Sequence, residues 1–277
     1  MPNAKDANQP ITHRILVLGN TGTGKTAQFA TFPGKKYAYF FDASALITLR
    51  GQDIDYDEFL PTPLRLDITS LEKNKDGTQK GDKVMSGKGS EVYLAWEKDV
   101  EEKIRKGFFK EYDWIGIDSG TTLLDVIMDR MLTINGRPGT FPQQDDWGPQ
   151  MVAFANVMRT FIGMGVGVYL TGHLITDKDE HTQSIVQLPL MTGRLREKIP
   201  LIFTDVFKFT AAEDGQGSVR YVMETVPNQR QTPIRTSIKG LTPKENITID
   251  WNKPVIGQGL GGILTREKEG KAQHDKV

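Results

Sequence analysis

The sequence predicts an α/β fold: a mostly parallel central β-sheet flanked by helices, with a β-hairpin towards the C-terminus. Three observations predict it. Short apolar runs, "RILVLG" (14–19), "YDWIGIDS" (112–119) and "VGVYLTGH" (166–173), alternate with amphipathic stretches, as expected for strands buried on both faces of a parallel sheet. The first run leads directly into a glycine-rich turn and a helix-forming segment. Later, "FTDVFKFTA" and "SVRYVMETV" flank "AEDGQG", which predicts an antiparallel hairpin over 205–226.

A chain of 277 residues suits one large domain with a sizeable core. Its 35 basic and 35 acidic residues cancel, which excludes a protein that coats nucleic acid through overall charge; any polyanion site is local. The absence of cysteine excludes disulfides and thiolate metal sites, and the four histidines, His13, His173, His181 and His274, are scattered. No apolar run approaches the roughly 20 residues that span a bilayer, and the polar N-terminus lacks the apolar core of a secretory signal. A soluble, cytoplasmic protein is expected.

Residues 1–12 read as a flexible lead-in to a single domain over 13–264. A helix starts at Gly24 and reaches Ala30, where "FPGKK" stops it. "YAYFFD" (37–42) is an aromatic strand and "PLRLDI" (63–68) a further candidate. Residues 71–91 are polar, rich in Gly and Lys and aperiodic, so a mobile insertion is expected. Trp96, Val100, Ile104 and Phe108 recur every four residues in a helix over 92–108. Leu124, Ile127, Met128 and Met131 share a face of another over 121–134. Residues 134–149 read as a loop dense in Gly and Pro, before a helix whose stripe includes Met151, Phe154, Met158 and Phe161. Residues 174–193 read as a second polar loop, and 265–277 as a charged, disordered tail.

Chemistry concentrates in "GNTGTGKT". Gly19-x-x-x-x-Gly24-Lys25-Thr26 is a phosphate-binding loop pattern in its required setting, after a strand and before a helix. Glycines let successive N–H groups of Asn20, Thr21, Gly22 and Thr23 turn into one concavity, and the helix N-terminus at Thr26 and Ala27 adds partial positive charge. Lys25 reaches β- and γ-phosphates and the Thr26 hydroxyl ligates Mg²⁺, so ATP and Mg²⁺ are the expected cofactors. Asp118 ends the strand "WIGIDS" and is the candidate carboxylate for a magnesium-bound water; the alternative is a helix N-cap.

The order of these parts resembles the RecA-like P-loop NTPases, and most of all the bacteriophage RecA-like ATPases that include ATP-dependent single-strand annealing and recombination proteins. "GNTGTGKT", "FPGKKYAYFFD", "IDSGTTLLD", "DWGPQM", "YLTGH" and "MTGRLREKIPLIFTDVFKF" carry the resemblance across roughly residues 13–240. It implies a homo-oligomer, ring or filament, with ATP between subunits. Single-stranded DNA would lie on the two polar loops, 134–149 and 174–193, and a single-strand-binding protein or other replication or recombination factor is an implied partner. Arg230 lies near where the family sends a basic residue into the neighbour's ATP site, with a surface-turn arginine as the alternative. His173 stands where the family places a polar residue that reports nucleotide state to the DNA loop; it, or Thr171, takes that role, or else it is a histidine hydrogen-bonded at a strand end. Arg194, Arg196 and Lys198 face either phosphate or solvent.

One departure concerns hydrolysis. The family carries a glutamate just past the second strand to orient the attacking water, and "FFDAS" puts Ser44 there. Either Asp42 substitutes for it or hydrolysis is slow, and the alternative for Asp42 is a strand-end turn residue; ATP binding is expected in each case. Loop aromatics for stacking on DNA are few: Phe141 and Trp147, the latter equally suited to core packing at a helix start. Two other functions remain open at this point, an ATP-dependent loader or motor on a protein partner and a nucleotide-binding subunit with little hydrolysis.

Overall fold

The computed structural model describes residues 12–61, 89–178, 185–191, 193–213, 215, 217–227 and 232–274. The first strand, β1 (Arg14–Gly19), shows why its sequence is apolar without alternation. Ile15 and Val17 point into one core layer and Leu16 and Leu18 into the other, all fully buried. α1 (Lys25–Ala30) follows the glycine turn. Then come β2 (Lys36–Phe40), α2 (Ala43–Leu49), β3 (Asp55–Glu58), α3 (Gly89–Arg105), β4 (Trp114–Asp118), α4 (Gly120–Ile134), α5 (Gln144–Gly163) and β5 (Gly167–Gly172). A separate hairpin, β6 (Leu174–Lys178) and β7 (Ile185–Pro189), precedes α6 (Leu195–Ile202), β8 (Asp205–Glu213), β9 (Val219–Glu224), β10 (Lys244–Asn246) and α7 (Gly259–His274).

The main sheet has the order β10-β9-β8-β1-β5-β4-β2-β3. β1 lies between β5 and β8 and is parallel to both, and β4, β2 and β3 continue in parallel beyond β5. β8, β9 and β10 form the antiparallel end, so the expected hairpin over 205–226 is present. α3, α4, α5 and α6 cover one face, packing Trp96, Leu124, Phe154 and Leu195 on Leu16, Tyr39, Ile117 and Leu170. α1, α2 and α7 cover the other, packing Phe29, Ala45 and Leu260 on Val17, Phe40, Tyr169 and Phe207. This is the α/β architecture read from the sequence, and Met128 and Met158 are core residues as expected.

Several elements differ from expectation. The candidate strand 63–68 and most of the expected insertion, 71–88, lie outside the described residues; 89–91 belong to α3. α3 ends at Arg105, and Phe108 opens a short 3-10 turn, Phe108–Glu111. The loop expected over 134–149 is shorter because α5 begins at Gln144 and takes Pro149 inside it. A reciprocal capping box between Gln143 and Asp146 and an ion pair from Arg137 to Asp146 at 2.6 Å hold that first turn. The polar loop expected over 174–193 holds the paired strands β6 and β7; residues 179–184 and 192 are outside the described set. The tail expected to be disordered continues α7 as far as His274. No helix among the described residues is long and apolar enough to cross a membrane.

Candidate functional site

The C-terminal ends of β1, β4 and β5 converge on one cavity of ≈ 430 Å³, whose walls include Thr21 to Gln28, Asp42, Ser44, Asp118 and His173. The loop between Gly19 and Lys25 curls as its glycines permit. Gly22 and Gly24 take φ of 78° and 81°, a left-handed conformation that strains other residues. Gly19 is required by contact rather than by dihedral: a Cβ there would stand 2.7 Å from the Phe209 carbonyl oxygen of β8. Asn20 and Thr21 are exposed, and Thr21 and Ala27, the third residue of α1, line the cavity.

Lys25 is almost wholly buried. Its Nζ donates to the carbonyls of Gly19 at 2.9 Å and Asn20 at 2.8 Å, which holds the ammonium inside the curl. Burial pushes its pKa down to about 8, against the upward pull of the Asp118 and Asp42 carboxylates. The Thr26 hydroxyl donates to Asp118 Oδ2 at 2.6 Å, and the Thr171 hydroxyl donates to Oδ1. Burial raises the Asp118 pKa, opposed by these two hydrogen bonds. The N-cap alternative for Asp118 is excluded: Ser119 caps α4, its side chain accepting from the Thr122 N–H at 3.3 Å.

Asp42 is the residue before α2, and its Oδ1 accepts from the Thr122 hydroxyl at 2.5 Å. Ser44 lies in the first turn of α2 on the same cavity. His173 follows β5 at the cavity wall. Its carbonyl accepts from the Leu190 N–H at 2.8 Å, so it closes the base of the β6–β7 hairpin. Burial, with the Lys25 cation adding to it, lowers the His173 pKa.

The fold therefore gathers Lys25, Thr26, Asp42, Asp118 and His173 from four separate parts of the sequence. Arg230 lies outside the described residues. Arg196 pairs with Asp177 of β6 at 3.6 Å, while Arg194 and Lys198 are exposed. Phe141 is exposed and Trp147 is half-buried in α5. Sequence reasoning missed one part of the cavity wall, Tyr221 of β9 and Ile249 and Trp251 beyond β10. Nothing local to "TIDWNKP" signals it, because its position depends on contacts with α1.

The family model described as an AAA domain matches residues 11–232. The chain belongs to this family. It is thus a P-loop protein of the nucleotide-binding ATPase class, and the AAA domain spans the sheet from β1 to beyond β9. A comparison with curated proteins finds no match.

Proposed function

We propose that this AAA-domain protein binds and hydrolyses ATP with Mg²⁺ and acts on single-stranded DNA in recombination, annealing or repair, as a homo-oligomer with ATP between subunits. The observation that carries the reading is the direct join between the phosphate cavity and the β6–β7 hairpin through His173. A residue on the cavity wall thereby anchors the base of the segment that the family resemblance assigns to DNA. Exposed Phe141, on the connection between α4 and α5, offers a second surface for a base to stack on.

The residues present fit the cofactors. The loop N–H groups and Lys25 suit β- and γ-phosphate oxygens, and the adjacent Thr26 and Asp118 oxygens are the hard donors that Mg²⁺ prefers. Bound Mg²⁺ offsets the charge on the phosphate oxygens. Asp42, its carboxylate fixed by Thr122, is the candidate for orienting water, in place of the glutamate that Ser44 replaces. A cytoplasmic location accords with this role.

Asp118→Asn is expected to lower phosphate release at saturating Mg-ATP by about 100-fold or more while weakening nucleotide binding less. An unchanged rate would remove Asp118 from the metal site. The DNA role is tested by gel shift of an oligo(dT) strand. A shift that strengthens with ATP and weakens with salt is expected. No shift at low salt with any nucleotide would overturn the DNA role and favour action on a protein partner.

A further inference from the structure

We propose that Tyr221 and Trp251 form the platform on which the base of a bound nucleoside triphosphate stacks, an inference that rests on reading the cavity as a triphosphate site. The lining combines two chemistries. The loop, Asp42, Asp118 and His173 supply charge and hydrogen bonds, whereas Tyr221, Ile249 and Trp251 supply apolar and aromatic surface. A nucleotide combines a matching pair, anionic at the phosphates and flat and aromatic at the base. The Tyr221 ring leans on the phosphate loop itself: a Cβ at Gly24 would stand 3.2 Å from its Cδ1. The platform thus begins where the cradle ends.

Trp251 is 50 % exposed, although the chain around it is tightly held. Among the described residues, neither it nor Tyr221 joins the ring–ring contacts that run through the core. The support comes from two sides. Towards β9, the Tyr221 carbonyl accepts from the Ile247 N–H at 2.9 Å and the Tyr221 N–H donates to the Thr248 hydroxyl at 2.9 Å. Towards α1, the buried Gln28 side chain donates to the Ile247 carbonyl at 2.6 Å and accepts from the Leu260 N–H at 2.8 Å. Between these anchors the Gln258 side chain accepts from the Asp250 N–H at 2.8 Å and donates to the Asp250 carbonyl at 3.0 Å, closing the turn that carries the indole. An aromatic side chain carried on a backbone held in advance, and left half in solvent, requires little rearrangement of the chain when a flat ligand covers it. Gln28 therefore links the phosphate-loop helix to the base platform.

The experiment compares ATP with inorganic tripolyphosphate, each with Mg²⁺, by calorimetry on the full chain. Trp251→Ala is expected to weaken ATP binding about 10-fold or more and to leave tripolyphosphate affinity unchanged. Trp251→Phe, which keeps a stacking face, is expected to retain ATP affinity within a few-fold. Equal ATP affinity in the wild type and Trp251→Ala overturns the platform, as does an equal loss for both ligands. Wild-type protein that binds tripolyphosphate as tightly as ATP also overturns it, while leaving the phosphate site standing. Wild-type protein that binds neither ligand overturns both.

Discussion

Lys25→Ala is expected to weaken nucleoside triphosphate binding by at least about 100-fold, or ~2.7 kcal/mol, in calorimetric titration with Mg-ATP. The magnitude follows from burial. An ammonium shielded from water interacts with phosphate far more strongly than an exposed one, and among the described residues no other lysine or arginine lines this cavity. The substitution also leaves the Gly19 and Asn20 carbonyls without the donor that draws them together. A circular-dichroism spectrum matching the wild type separates loss of the ligand from loss of the fold. The same burial gives a pH dependence. With the free-protein lysine near 8, its charged fraction falls above that value, so wild-type affinity for ATP is expected to decline on the alkaline side. The effect on folding runs the other way. A lysine pKa below its unfolded value of about 10.4 means that the native state binds fewer protons, so this group penalises folding most at low pH and less as pH rises from 8 to 10. Unchanged ATP affinity in Lys25→Ala would remove the lysine from the phosphate site.

Asp205→Ala is expected to cost about 3–5 kcal/mol of stability, read as a lower urea midpoint. Asp205 is fully buried at the start of β8, at the opposite end of the sheet from the phosphate loop. Its Oδ1 accepts from the Ser237 N–H at 2.6 Å and the Thr236 hydroxyl at 3.0 Å. Its Oδ2 accepts from the Thr204 hydroxyl at 2.7 Å and lies 3.2 Å from His13 Nδ1. The other ring nitrogen of His13 is 2.9 Å from Glu267 of α7, so one carboxylate helps tie β1, β8, the 236–237 segment and α7 together. Alanine strands several buried donors at once. Burial alone would raise the Asp205 pKa, but the hydrogen bonds from His13, the Ser237 N–H and Thr204 outweigh it and hold the value below the ordinary one. With the folded value depressed, this contribution is complete above the unfolded pKa of about 3.9 and is lost as pH falls through the folded value. Asp205→Asn should therefore flatten the acid limb of the stability curve, and an unchanged limb would show that Asp205 does not set it.

What the sequence discloses here depends on how local the cause is. The phosphate loop is legible because curling a backbone round an anion requires particular residues at particular offsets, and the preceding strand and following helix are adjacent in the chain. β1, β4 and β5 are legible because burial on both faces leaves an unbroken apolar run. The start of α5 is not: Gly148 and Pro149 argue for a loop, and only the Gln143–Asp146 cap and the ion pair with Arg137 hold the turn. β6 (LITDK) is largely exposed, β7 (IVQLP) is only five residues long, and the two pair only with each other, so no sustained hydrophobic period marks them. β3 and β10 are short strands at the two edges of the sheet. Within the site, Lys25, Thr26 and Asp118 follow from motif chemistry, whereas Tyr221 and Trp251 reach the cavity through tertiary contacts that no window of sequence contains.

The Gln28 clasp has a consequence for how the protein is made. Gln28 leaves the ribosome long before its partner Leu260, which lies 232 residues downstream. Contacts this distant carry a large loop-closure cost and form late. A nascent chain long enough to complete β1, β4 and β5 thus holds a phosphate cradle without its Tyr221 and Trp251 wall, and the cavity is complete only once the segment up to Leu260 has docked on Gln28.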